Sequence, residues 1–200
     1  MKKTLIVLLL TITISPCFSR YSLGVKGGIH YKKISDNVGV LNTDFHFGYE
    51  MGLFGKIGIT NKISIQPELL ISRQLYSLEK DGMRPFLYRL RHITLPVLAI
   101  YKLYNNKTVS INTFLGIEFN HWILDDIFWF PDLWYGKPVI FGPSCGVGLD
   151  IYRFTFDIRY SYGYALNPEH ELYKNLKINN HYIKMSTGWK FLNNNYKKNI

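Results

Sequence analysis

Arg153-Phe-Thr-Phe-Asp-Ile-Arg-Tyr-Ser-Tyr-Gly-Tyr164 decides the fold. Phe154, Phe156, Ile158, Tyr160, Tyr162 and Tyr164 alternate with Arg153, Thr155, Asp157, Arg159, Ser161 and Gly163. A strand points successive side chains to opposite faces, so one face here is aromatic and aliphatic and the other is charged or small. The same two-residue period recurs along the chain. It predicts strands over Tyr21 to Ile34, Thr43 to Ile59, Lys62 to Gln74, Leu90 to Tyr104, Thr108 to Trp122, Val139 to Tyr152, the quoted segment, and Asn180 to Leu192. The fourth is the least regular, because Leu98 and Ile100 join His92 and Thr94 on its second face.

The connections alternate in length. Thr60-Asn61, Asn105-Asn106-Lys107 and Tyr152-Arg153 are tight, whereas those around 35–42, 75–89, 123–138 and 166–179 are long. Short turns at one rim and long loops at the other are the arrangement of bacterial outer-membrane barrels. An even strand count places both chain ends on the short-turn, periplasmic side. The fold expected is therefore all-β: an eight-stranded antiparallel up-and-down transmembrane β-barrel over residues 20–200.

A soluble ligand-binding barrel also alternates, but it turns its apolar face inward. Three features favour the membrane. The charged face is rich in Gly and Ser, which suits a crowded lumen. Tyr21, Tyr101, Tyr104, Trp122, Tyr162, Tyr164 and Trp189 gather toward segment ends, as an interfacial girdle requires. The last strand ends Trp189-Lys190-Phe191, the aromatic-ended pattern that barrel-assembly machinery accepts, although the chain continues to Ile200.

Residues 1–19 read as a signal peptide. Lys2 and Lys3 precede an apolar stretch, Leu5 to Ile14, too short to span a membrane as a helix, and the small residues Cys17 and Ser19 place cleavage after Ser19. Acylation at Cys17 is the minor alternative, opposed by Pro16. The 200-residue chain carries 24 basic and 14 acidic residues; cleavage removes two lysines and takes the formal charge from +10 to +8. The basic residues are dispersed, which favours anionic lipid or polysaccharide over nucleic acid. Cys145 is then the sole cysteine, and no intramolecular disulfide can form.

Four motifs occur in an order seen in a known family: Gly24-Val-Lys-Gly-Gly-Ile29, Phe47-Gly-Tyr-Glu-Met-Gly-Leu-Phe54, Ile63-Ser-Ile-Gln-Pro-Glu-Leu-Leu70 and Ile93-Thr-Leu-Pro-Val-Leu98. The mature chain resembles the outer-membrane β-barrel family of Bacteroidetes, often labelled PorT-like. The resemblance implies a Gram-negative outer-membrane barrel. It also implies, for one branch, an association with protein secretion.

Candidate chemistry is sparse. Lys26, Glu50, Lys56, Glu68, Glu118, Asp150, Asp157, Arg159, Lys184 and Lys190 should face the lumen, with Lys26, Glu50, Glu68, Asp157 and Arg159 at the heart of a charge network that fills it. A hairpin centred near residue 38 would set Lys26 across from Glu50 and His30 across from His46. Two imidazoles lack the third ligand of a metal site, so a hydrogen-bonded pair is expected and neither metal nor cofactor is assigned. The loop Asp125-Asp-Ile-Phe-Trp-Phe-Pro-Asp-Leu-Trp-Tyr135 concentrates aromatics. Phe128, Trp129, Phe130 and Trp134 are the candidate contact residues, for a protein or glycan partner or for the headgroup layer itself. His121, Asp125 and Asp126 lie close in sequence but match no catalytic motif. The function expected is a non-catalytic, monomeric outer-membrane barrel of structural, adhesive or accessory role. The alternatives are a secretion-assembly component and, behind it, a lipid- or glycan-modifying barrel enzyme.

Overall fold

The computed structural model describes residues 20–36, 46–78, 86–106, 108–123, 139–166 and 178–194. The signal segment 1–19 lies outside them. Period-two alternation gives eight strands: β1 (Tyr21–Asp36), β2 (His46–Gly58), β3 (Ile63–Leu78), β4 (Phe86–Asn105), β5 (Val109–Ile123), β6 (Val139–Ile151), β7 (Phe154–Leu166) and β8 (Ile178–Asn193). Each pairs antiparallel with its neighbours, and β1 pairs with β8 from Ser22↔Asn193 to Asp36↔Ile178 to close the barrel. Closure leaves no edge strand, so every ladder donor and acceptor has a neighbouring strand.

The tight turns are held by the side chains that predicted them. Thr60 Oγ1 accepts from the Ile63 N–H at 2.9 Å between β2 and β3, and Asn106 Oδ1 accepts from the Val109 N–H at 2.6 Å between β4 and β5. Tyr152, between β6 and β7, adopts φ 51°, as a two-residue hairpin requires. Arg20 O accepts from the Gly58 N–H at 2.8 Å, which puts the start of β1 at this turn end, and Asn193 joins it there through Ser22.

Several expected boundaries move. β3 runs on to Leu78 and β4 starts at Phe86, so the connection placed at 75–89 is largely ladder. The last strand runs from Ile178 to Asn193, two residues earlier and one residue later than the expected Asn180 to Leu192, past a register shift at Leu23/Gly24 on its partner.

The outward face is apolar: Leu53 is 54% exposed, Ile158 53% and Leu115 65%. The inward face is polar and closed, with Lys26, Glu68 and Arg159 all buried. Water would reverse this arrangement; a hydrocarbon surround demands it. Tyr21, Tyr101, Tyr104, Tyr164 and Trp189 lie exposed toward strand ends. The Trp122 side chain lies outside the described set.

The interior also holds apolar residues that alternation alone did not assign. Leu98 and Ile100, the irregular pair on β4, pack with Phe114 of β5 inside the lumen. Phe54, Leu70 and Ile140 are buried there as well. Room for the rings comes from glycine. A Cβ on Gly24 would sit 2.5 Å from the Phe54 ring, and one on Gly146 would sit 2.7 Å from Phe114.

The outward orientation has a measurable consequence. Ile158→Arg, near mid-strand, should destabilise the barrel in lipid by about 2–4 kcal/mol, whereas Phe191→Arg at the turn-end rim should cost about 0–1 kcal/mol. Urea unfolding in lipid vesicles reads both; equal and negligible costs would contradict the orientation.

Candidate functional site

The lumen is the densest concentration of polar chemistry among the described residues. Each charged side chain reaches it by strand parity: Lys26 from β1, Glu50 and Lys56 from β2, Glu68 from β3, Glu118 from β5, Asp150 from β6, Asp157 and Arg159 from β7, Lys184 and Lys190 from β8. At the centre, Arg159 makes a two-pronged contact with Glu68, Nη1 to Oε2 at 3.0 Å and Nη2 to Oε1 at 3.1 Å. Its Nη2 also donates to Asp157 Oδ1 at 3.2 Å. Lys26 Nζ bridges the same two carboxylates, at 2.8 Å to Glu68 and 2.7 Å to Asp157. Gln66 and Ser186 complete this tier by donating to Glu68 and Asp157, each at 2.7 Å.

Toward the loop end, Glu118 is the second junction. It accepts from Lys184 Nζ at 2.7 Å, Ser161 Oγ at 2.9 Å and Ser144 Oγ at 3.1 Å, and lies 3.6 Å from Arg159. Lys184 also lies 3.6 Å from Glu50. Toward the turn end, Asp150 takes Lys56 at 2.8 Å and Lys190 at 3.0 Å. The three tiers interlock cations from β1, β2, β7 and β8 with carboxylates from β2, β3, β5, β6 and β7.

Aromatic rings close the gaps between tiers. The Arg159 guanidinium lies 5.4 Å from the Phe114 ring centroid, and Lys26 Nζ lies 5.7 Å from that of Phe54. Such an interior is an ionic frame interleaved with hydrocarbon, as expected for an eight-stranded barrel whose inside is filled by side chains.

The expected hairpin register is overturned. Lys26 pairs with Gly52 and Glu50 with Gly28, so Lys26 and Glu50 are not cross-strand partners. His30 likewise pairs with Gly48, and His46 with Lys32. The expected His30–His46 juxtaposition is therefore replaced. The His30 ring instead meets His92 at 6.0 Å and Tyr182 at 6.3 Å, with Lys32 Nζ 5.0 Å over the Tyr182 ring. Among the described residues, no three His, Cys, Asp or Glu groups converge in a geometry that would hold a metal ion.

The loop residues Phe128, Trp129, Phe130 and Trp134 lie outside the described residues, as do Asp125 and Asp126. His121 is described: it sits at the loop end of β5 and points outward, away from the lumen. Sequence reasoning put His92 on the inner face of the fourth strand but missed Phe54 and Phe114 as lumen contacts. The signal available was their parity, since each shares the face of the assigned charges on its own strand. An outer-wall depression of about 690 Å³, lined by Gly27, Ile29, Val147, Phe156, Ile158 and Met185 among others, belongs to the apolar exterior.

Removing one member of a buried ionic frame strands the rest. Arg159→Met should lower stability by about 3–5 kcal/mol, because Glu68 and Asp157 lose a shared cation. Adding Glu68→Met should cost much less than the two single losses together, since the pair is coupled. Urea unfolding of the refolded barrel measures the cycle; a loss below about 1 kcal/mol for Arg159→Met would contradict the frame.

Comparisons with known proteins agree with this architecture. Neisserial surface protein A superposes with a TM-score of 0.54 at 14% identity, covering 86% of this chain and 99% of that one. The outer membrane protein OprG from Pseudomonas aeruginosa gives 0.51 at 11% identity, covering 88% and 97%. The attachment invasion locus protein Ail of Yersinia pestis gives 0.48 at 13% identity, covering 86% and 99%. No curated protein matches the sequence. The profile of the outer membrane protein beta-barrel domain family matches residues 15–123, more than half of the chain. With its closed eight-stranded antiparallel barrel, the chain belongs to that family and resides in the outer membrane.

Proposed function

We propose that this protein is a monomeric, non-catalytic barrel whose ion-paired stem holds the long connections as a contact surface, in a structural, adhesive or accessory role. The observation that carries this reading is the closed middle of the lumen. Arg159 is 1% exposed and is held by Glu68, Asp157 and Glu118. An interior so filled supports rigidity and disfavours passage of solutes. Contact chemistry then falls to the loops and rims, where function on a rigid scaffold concentrates.

In this reading residues 1–19 direct export and are cleaved after Ser19. Barrel-assembly machinery inserts the mature chain, and the long connections face outside. Phe128, Trp129, Phe130 and Trp134 are the contact residues for a protein or glycan partner. A second reading, a component of a protein-secretion assembly, draws on the likeness to the PorT-like barrels of Bacteroidetes. The two segments that carry that likeness, Gln-Pro-Glu-Leu-Leu on β3 and Leu-Pro-Val on β4, lie side by side, with Pro67 paired to Val97 and Leu70 to Thr94.

Trp129→Ser combined with Trp134→Ser should leave the heat-dependent gel shift of the folded barrel intact. It should also reduce capture of a partner from native membranes by about tenfold, the loss expected when exposed aromatic anchors are removed. Deletion of the protein should leave export of other proteins unchanged. A double variant that fails to insert would make the loop structural, and a secretion defect on deletion would favour the second reading.

A further inference from the structure

The turn-end mouth of the lumen carries a charge excess that the centre of the frame lacks. At the centre, Lys26 and Arg159 meet Glu68 and Asp157, two cations against two carboxylates. At the turn end, Asp150 holds Lys56 and Lys190 through a single oxygen, Oδ2. Lys102 of β4 lies within electrostatic reach of all three, and of Arg20. Among the described residues, four cations therefore gather about one carboxylate. Lys102 is half-buried on the inward face, and the ladder register shifts just beyond it, between Lys102 and Tyr104. Irregularities of this kind at a barrel rim re-aim side chains.

Two hydroxyls on the same tier are buried without a hydrogen-bond partner in the protein, Ser22 Oγ and Thr155 Oγ1. Ser22 stands opposite Lys56 in the β1–β2 ladder, and Thr155 stands opposite Asp150 in the β6–β7 ladder. Buried polar groups are ordinarily satisfied, so each orphan calls for a partner of the right polarity. The Phe54 ring floors the mouth: it lies against Gly24 and Gly188, with Lys26 Nζ of the central tier 5.7 Å from its centroid. The other side meets solvent, since the Asp150 side chain is 16% exposed whereas that of Glu68 is 0% exposed.

Ammonium and hydroxyl groups are all donors toward this space, and an acceptor bearing negative charge answers them together. Lysine binds phosphate as a point charge. The donors come from β1, β2, β4, β7 and β8, so an oxyanion with several acceptor oxygens engages more of them than a single-atom halide. Four cations and one carboxylate leave a local charge of +3, which a dianion lowers to +1.

We propose that the turn-end mouth binds a phosphate-class oxyanion, either free or as the terminal phosphoryl group of a small ester. Lys56, Lys102 and Lys190 surround it, and Ser22 and Thr155 donate to its oxygens. Asp150 positions two of the lysines and leaves Lys102 to the ligand. This chemistry is independent of which way the barrel sits in the membrane; with the long connections outside, the mouth opens to the periplasm.

Phosphorus NMR of inorganic phosphate tests the site, using the full barrel refolded in a phosphate-free non-ionic detergent. Sodium chloride at about 0.15 M screens diffuse attraction and makes the anion compete with chloride. Wild-type barrel should broaden the resonance saturably, with one phosphate bound per barrel. Lys102→Gln should weaken binding about tenfold, the loss expected for one charge-assisted contact, while keeping the heat-dependent gel shift. Ser22→Ala with Thr155→Val should weaken it about fivefold, and this variant reads the site even where Lys102→Gln does not fold. Lys62→Gln, an exposed cation at the same end, should change nothing. Competition by glycerol 3-phosphate would assign a terminal phosphoryl group as the ligand, and its absence would assign the free anion; both support the site. No saturable broadening, unchanged binding in either folded site variant, or an equal loss in Lys62→Gln would overturn the proposal.

Discussion

A guanidinium does not shed its proton in a protein, so a buried Arg159 obliges the surrounding wall to supply anions. Glu68, Asp157 and Glu118 answer from three other positions on β3, β7 and β5, and Lys26 and Lys184 balance the carboxylates so gathered. These partners are far apart in sequence: Lys26 and Asp157 are separated by 131 residues, and Arg159 and Glu68 by 91. The frame therefore exists only when the barrel is closed and in register. A slip of one residue would turn each inward charge to the lipid and each apolar side chain to the lumen. Burial of charge acts here less as a source of stability than as a selector of one closed arrangement.

Parity was legible because it needs no knowledge of neighbours. A two-residue period assigns a face to every residue of a strand, and it put the ten charges named from Lys26 to Lys190 on the side on which they lie. Register was not legible, because it depends on how the connection between β1 and β2 closes. A centre placed near 38 set Lys26 against Glu50, whereas the ladder pairs Lys26 with Gly52. That two-residue offset preserves every face and changes every partner. It also separated His30 from His46 and left His30 beside His92, a neighbour from β4 that no local pattern announces.

Leu98 and Ile100 teach a related lesson. On β4 they broke the alternation, and a strand read alone could not say which of its apolar faces met lipid. The answer came from β5, where Phe114 shares the lumen with them. Alternation describes a single wall, whereas the filling of a narrow barrel is decided by residues from opposite walls meeting at its axis. Together the ionic tiers and these apolar patches make a rigid stem. Changes in the connections and on the lipid-facing rims, where function on a rigid scaffold concentrates, leave these lumen contacts untouched.

The direction in which β7 faces decides the membrane orientation of the whole barrel. A nitroxide scan through positions 154–161, one cysteine at a time in a Cys145→Ala background, measures accessibility to lipid-soluble oxygen and to a water-soluble nickel chelate in bilayers. Oxygen accessibility should peak at Phe154, Phe156, Ile158 and Tyr160, and Thr155, Asp157, Arg159 and Ser161 should be shielded from both reagents. Strong access of the nickel chelate at Asp157 and Arg159, with no oxygen maximum at Phe156 and Ile158, would contradict it.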